Sequence, residues 1–389
     1  MNAALWSSGF RPFFLLGAIY GPALAALWYG ERLGWWILPA SSAVSPLLVH
    51  AHEFVFGFAC AIVCGVLLTA LPSWAGAAEL RGAPLTMLVL LWCAGRIAFL
   101  FLDSLPRVIV IFADCALFPV LGAVLVPALS GARKRLFLWT VPPLVALAVG
   151  NIVFHATLAR TSIDDARWGI SLGMHALAFL FSLYGGLLTP AFTRNFLRAR
   201  GERAASILVP LEYATALGMV AFAAADLTDA PPMWMATAAF AAVALHAVRF
   251  ARWRGWRTAG EPLLWTLHLG YAWLIAAIAL RGISVLSTLV PQDSWLHAFT
   301  LGALGMTMLG LMTRVVLRHT GRLPEVAPAM RAAYFMMLAA ALLRLAYSVH
   351  GLGEWAIAVS ALAWSAAFLA YLVLHGTMLA RPSLPRKTP

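Results

Sequence analysis

The chain has 389 residues, 62% of them hydrophobic and only 11% charged. A soluble domain averages about 45–50% apolar and about 25% charged residues, so this much apolar surface cannot be hidden in a water-soluble globule, and the chain is read as an integral membrane protein. The formal net charge of +12 would suit a nucleic-acid partner, but no polar segment is large enough to carry a basic face; the excess reads instead as the positive-inside bias of a protein whose partner is the lipid bilayer.

A helix needs about 20 apolar residues to cross a bilayer. Punctuating the chain at Pro, Gly and charge clusters predicts twelve transmembrane helices. They fall near 10–29, 47–72, 84–103, 106–129, 136–159, 168–190, 205–226, 232–250, 262–281, 294–317, 331–349 and 354–378. The apolar runs are continuous rather than alternating, which excludes a transmembrane β-barrel. The fold class is therefore all-α and polytopic, with residues 1–389 forming a single integral membrane domain. The start lacks a basic stretch and an A-x-A site, so no removable signal peptide is expected.

With the N-terminus placed in the cytoplasm, twenty of the 27 basic residues fall on that side. They include Arg11, the Arg133-Lys134-Arg135 run, Arg194, Arg198, Arg249, Arg386 and Lys387. Five fall on the other side, Arg32, Arg107, Arg160, Arg167 and Arg281, while Arg96 and Arg344 lie within helices. This split predicts that both termini are cytoplasmic.

An internal repeat is also visible. The second, sixth and tenth helices end Gly65-Val-Leu-Leu-Thr69, Gly186-Leu-Leu-Thr189 and Gly310-Leu-Met-Thr313, with threonines 120 and 124 residues apart. Each has a histidine near its opposite end, His52, His175 and His297, and Leu138-Trp-Thr140 is echoed by Leu264-Trp-Thr266. These echoes predict three pseudo-repeats of four helices, about 10–130, 136–250 and 262–378.

Ten histidines are the chemical signal, because ionisable groups inside a bilayer are costly and point to function. The topology sorts them into an outer set (His50, His52, His155, His175, His297, His350) and an inner set (His246, His268, His319, His375). His50 and His52 would point about 200° apart on a regular helix, so they serve one ion only if the helix start is unwound, or else two neighbouring metals. Neutral imidazole suits copper, iron or zinc and is a common axial ligand of haem. Glu53 follows as a group that orients a ligand imidazole or relays protons. His50-Ala-His-Glu53 is not H-E-x-x-H, which excludes a zinc-protease site. Arg96 and Asp114 sit at similar depth on adjacent helices and read as an ion pair, with a haem propionate as the sharper alternative for Arg96. C-x-x-C-H is absent, which excludes covalent c-type haem, and the four cysteines read as buried thiols.

Several segments resemble one family. Trp6-Ser-Ser-Gly-Phe-Arg-Pro-Phe-Phe14, His50-Ala-His-Glu53, Leu68-Thr-Ala-Leu-Pro-Ser-Trp74 and Pro190-Ala-Phe-Thr-Arg-Asn195 are similar to the NnrS family of bacterial membrane proteins. So are Glu261 to Trp273, His297-Ala298, Gly302 to Arg314 and His319-Thr-Gly321, in order along nearly the whole chain. The chain has Ala-Leu-Pro-Ser-Trp-Ala-Gly where the family pattern has Val-Pro-Asn-Trp-Thr-Gly. The resemblance implies a bacterial inner-membrane protein that contains haem b and copper and is linked to the nitric oxide response. It further implies His50, His52, His155, His268, His297 and His319 as ligands, with His246 weaker, and leaves open which histidine holds which metal.

Two readings and a third follow. The first is a redox enzyme that binds and reduces nitric oxide, drawing on an unidentified electron donor, with an arrangement like that of the haem-copper oxidases. The second is a non-catalytic nitric oxide sink or sensor, and the third a transporter. On the first, His50, His52, His155 and His297 gather at the periplasmic end around haem and copper, with Glu53 beside them. His246, His268 and His319 hold a second, cytoplasmic-side centre.

Overall fold

In lipid no water is available to the backbone, so a segment that crosses must satisfy its own N–H and C=O groups as a helix. The computed structural model describes residues 4–42, 44–76, 78–130, 135–158, 163–203 and 206–385. Twelve long helices occupy the twelve expected positions: α1 Phe10–Arg32, α2 Pro46–Pro72, α3 Ala83–Leu100, α4 Arg107–Pro127, α5 Phe137–Leu158, α6 Ala166–Ala199, α7 Val209–Leu227, α8 Pro232–Arg252, α9 Pro262–Ser284, α10 Ser294–His319, α11 Pro328–His350 and α12 Glu354–Ala380. The described residues contain no strand, and the fold is that of an all-α polytopic membrane protein. Eleven of these helices are long and apolar enough to cross a membrane. The twelfth, α7, has 19 residues and carries Glu212 and Asp226. Of the counted loop charges, Arg133, Lys134, Arg160, Arg386 and Lys387 lie outside the described residues.

Local sequence explains where α2 begins and ends. Ser45 caps its N-terminus by accepting from the Leu48 amide, and Pro46 fills the first turn, where its missing N–H costs nothing. The helical run stops at Gly76, whose φ of +75° suits a residue without Cβ. Between these ends α2 widens into a π-helical segment, Glu53–Ala59, and α10 does the same over Ala298–Gly305. Each segment starts on the residue after a histidine, His52 or His297. The extra residue in the turn rotates the side chains that follow and frees backbone carbonyls, a feature common at functional sites. Around His175, α6 stays α-helical.

The chain forms two compact units. The first comprises Met1–Ala176, Val315–Leu323 and Tyr371–Pro389. Phe13, Phe14, Phe56, Phe99 and Phe154 fill its core. Arg11, counted above with the loop charges, is buried there, and its guanidinium donates to the carbonyls of Leu379 (2.9 Å) and Arg381 (2.7 Å) and to Ser383 Oγ (2.8 Å). The second unit comprises Leu177–Arg314 and Pro324–Ala370. It packs α8 against α7 and α9 around Phe222, Tyr271, Phe299 and Tyr334. All four cysteines are free thiols, with Cys60, Cys64 and Cys115 buried as expected and Cys93 half-buried.

Candidate functional site

Five helices of the first unit converge on a buried polar cluster. Tyr20 comes from α1, His52 and Glu53 from α2, Arg96 from α3, Asp114 from α4, and Asn151 and His155 from α5. His52 is fully buried, its ring stacked between Phe99 (4.0 Å between centroids) and Phe154 (4.4 Å). That sandwich fixes the ring plane, so its two nitrogens can reach only groups lying in the plane. Nδ1 lies 3.0 Å from Glu53 Oε1, while Nε2 lies 2.9 Å from Asn151 Oδ1 and 3.1 Å from Asp114 Oδ2. His155 Nε2 lies 2.7 Å from the same Asp114 oxygen.

Charge is balanced by Arg96, since a buried ion needs a partner. Its NH1 donates to Glu53 Oε1 at 2.6 Å, and its NH2 pairs with Asp114 Oδ1. The expected Arg96–Asp114 ion pair is therefore present, extended to Glu53. The Tyr20 hydroxyl donates to Glu53 Oε2. Gly57, inside the π-helical segment, makes room for this meeting: a Cβ there would stand 2.9 Å from Tyr20 Cε1 and 3.1 Å from both Arg96 NH1 and Glu53 Oε2. Its carbonyl accepts from Trp92 Nε1 at 3.0 Å.

Among the described residues, His52, Asp114 and His155 offer ligand atoms that all lie within 4.8 Å of one another. A recess lined by Val44, Leu102, Arg107, Ile111 and Leu158 reaches His155.

The second unit holds its own buried constellation. Arg249, read above as a loop charge, is 2% exposed. It is buried because Glu212 of α7 pairs with it, while Ser182 O (2.9 Å) and the Tyr271 hydroxyl (3.0 Å) accept from its NH1. His246 Nδ1 lies 2.6 Å from that hydroxyl, and His268 Nε2 lies 2.8 Å from Thr193 Oγ1. The other nitrogen of each ring, His246 Nε2 and His268 Nδ1, is buried and has no hydrogen-bond partner. Gly255 packs against the His268 ring: a Cβ there would lie 2.4 Å from Nδ1, so only glycine fits beside it.

The remaining candidates have other neighbours. The His50 ring packs on Trp28 (4.4 Å) and Phe54 (4.6 Å), away from the contacts of His52, as a spacing of two on a helix requires. His297, in the second unit, has Nδ1 3.3 Å from Asp293 O. His319, in the first, is exposed with its ring 5.5 Å from Phe10. Tyr20, Asn151, Glu212, Tyr271 and Thr193 were not singled out from sequence. Neutral polar residues in apolar runs carry no spacing signal, although Glu212, a carboxylate near a helix start, could have been matched to Arg249.

No curated protein matches the chain. The family model described as NnrS protein matches residues 4–383, nearly its whole length, and the chain belongs to the NnrS family.

Proposed function

We propose that this membrane protein of the nitric oxide response binds nitric oxide and reduces it to nitrous oxide, with the reactive centre at the His52–His155 end of the first unit. The observation that carries this reading is the convergence of two buried imidazoles on one carboxylate oxygen, walled by Phe99 and Phe154. An apolar gas partitions readily into such a site. The family implies haem b and copper. The residues present fit them: His246 presents a free Nε2, the less hindered ring nitrogen and the one suited to haem iron, and His268 a free Nδ1. In each ring the opposite nitrogen is held by a hydroxyl, as expected of a ligand imidazole. His52 and His155 supply nitrogen donors for copper. Such groups, when bound, supply the redox-active iron and copper that take up nitric oxide and pass electrons to it.

The chain's own residues do the rest. Forming one nitrous oxide and one water from two molecules of nitric oxide consumes two protons and two electrons, the latter from an external donor. Tyr20, Glu53 and His52 form a hydrogen-bonded path on which a proton can be held at Glu53. Arg96 keeps that carboxylate compensated while the proton moves. The basic-residue distribution supports placing both termini on the cytoplasmic side of the inner membrane.

The test is anaerobic addition of nitric oxide to reduced, purified full-length protein with nitrous oxide measured. Nitrous oxide formed in step with reductant consumed supports the reading. An optical change without nitrous oxide replaces it with a non-catalytic sink, and no change at all removes nitric oxide from the account.

A further inference from the structure

We infer that His52 Nε2, Asp114 Oδ2 and His155 Nε2 form a mononuclear transition-metal site, with Asp114 as a ligand and His50 outside the coordination sphere. This narrows the reading of the outer histidines as metal ligands and rests on it.

Asn151 Nδ2 donates to the Asp114 carbonyl at 3.2 Å, which fixes the amide so that Oδ1, an acceptor, faces His52 Nε2. Asp114 Oδ2, another acceptor, faces the same nitrogen. On its other side, His52 Nδ1 lies 3.0 Å from Glu53 Oε1. His155 Nε2 aims at the same Asp114 oxygen. Two imidazole nitrogens and one carboxylate oxygen thus lie within 4.8 Å of one another, buried from water, a donor set that a transition metal takes.

Distances fit a metal as well. Two donors each about 2.1 Å from one ion at a right angle are about 3.0 Å apart; the observed pairs are 3.1 and 2.7 Å. The Glu53–His52 contact is the carboxylate–histidine arrangement that orients metal-binding imidazoles. Two imidazoles and one carboxylate suit iron or copper and leave positions open for a small ligand, and the recess beside His155 provides a way in.

The test uses the full-length protein in detergent, freed of non-haem metal and then titrated separately with Fe(II) and with Cu(II), with bound metal measured by mass spectrometry. Wild type should retain one equivalent of one of these ions. His155→Gln and Asp114→Asn should each weaken retention at least about tenfold, while His50→Ala leaves it unchanged. Asp114 also pairs with Arg96, so His155→Gln, which spares that pair, is the decisive variant if Asp114→Asn fails to fold. In the Cu(II) form, pulsed EPR should show two imidazole couplings in wild type and one in His155→Gln. Metal retained equally by His155→Gln, or lost in His50→Ala, would overturn the assignment and leave the nitric oxide reading intact. Failure of nitric oxide turnover in protein with this site loaded would overturn that reading alone.

Discussion

Glu53 follows His52 in sequence, yet its carboxylate reaches back to the His52 ring at 3.0 Å. On a regular helix neighbouring side chains point about 100° apart; here the π-helical segment begins at Glu53. One carboxylate is thereby shared among His52, Tyr20 and Arg96, and the orientation of the histidine depends on it.

Glu53→Gln tests that dependence. The amide keeps the size of the side chain but loses the charge that faces His52 Nδ1. Metal affinity of the first-unit site should fall about 10- to 100-fold, measured by competition with a chelator of known affinity. An unchanged affinity would mean that the Phe99–Phe154 sandwich alone positions the ring.

Arg96→Met should be strongly destabilising. It leaves Glu53 and Asp114 buried without their guanidinium, and breaking a buried ion pair by removing one partner costs about 3–5 kcal/mol. Thermal unfolding in detergent should show a clear drop for Arg96→Met and little change for Arg81→Met, because Arg81 is exposed and its pair with Glu79 is open to solvent.

Two glycines provide a matched pair. Gly57→Ala puts a Cβ 2.9 Å from Tyr20 and 3.1 Å from Arg96 and Glu53, and overpacking of this kind costs about 1–3 kcal/mol. Gly122 has nothing within 4 Å of a built Cβ, so Gly122→Ala should be neutral or stabilise by up to about 1 kcal/mol through helix propensity. Melting temperatures of the two variants should move in opposite directions, or only the first should move.

How much of this was legible in the sequence follows from the physics of each signal. Helix positions were, because a bilayer demands about 20 apolar residues wherever the chain crosses; α7 is the marginal one because Glu212 and Asp226 dilute its apolar run. The Arg96–Asp114 pair was legible from equal depth on adjacent helices. His52 and His155 were picked out as intramembrane ionisable groups, but their meeting at Asp114 was not, since Asp114 had been matched to Arg96 alone. Asn151 lies 99 residues from His52, and nothing in its local sequence marks it. Arg249 was misread because its place near the end of α8 looks like a loop charge until Glu212 folds against it. The π-helical segments left no compositional trace.

His246→Ala should remove the absorption of bound b-type haem from the purified protein while leaving the first-unit metal content unchanged. The motivation is the free, buried Nε2 opposite the Tyr271 contact. Haem absorption that survives this substitution would assign the axial ligand to another histidine.

The most direct measurement compares nitric oxide binding by the reduced His52→Ala and His268→Ala proteins, followed by optical and EPR spectroscopy under anaerobic conditions. The account predicts that His52→Ala loses nitric oxide reactivity while the spectrum of the second-unit centre persists, and that His268→Ala still reacts. Loss of nitric oxide binding in His268→Ala, with His52→Ala reacting as wild type, would contradict the placement of the chemistry at the His52–Asp114–His155 cluster.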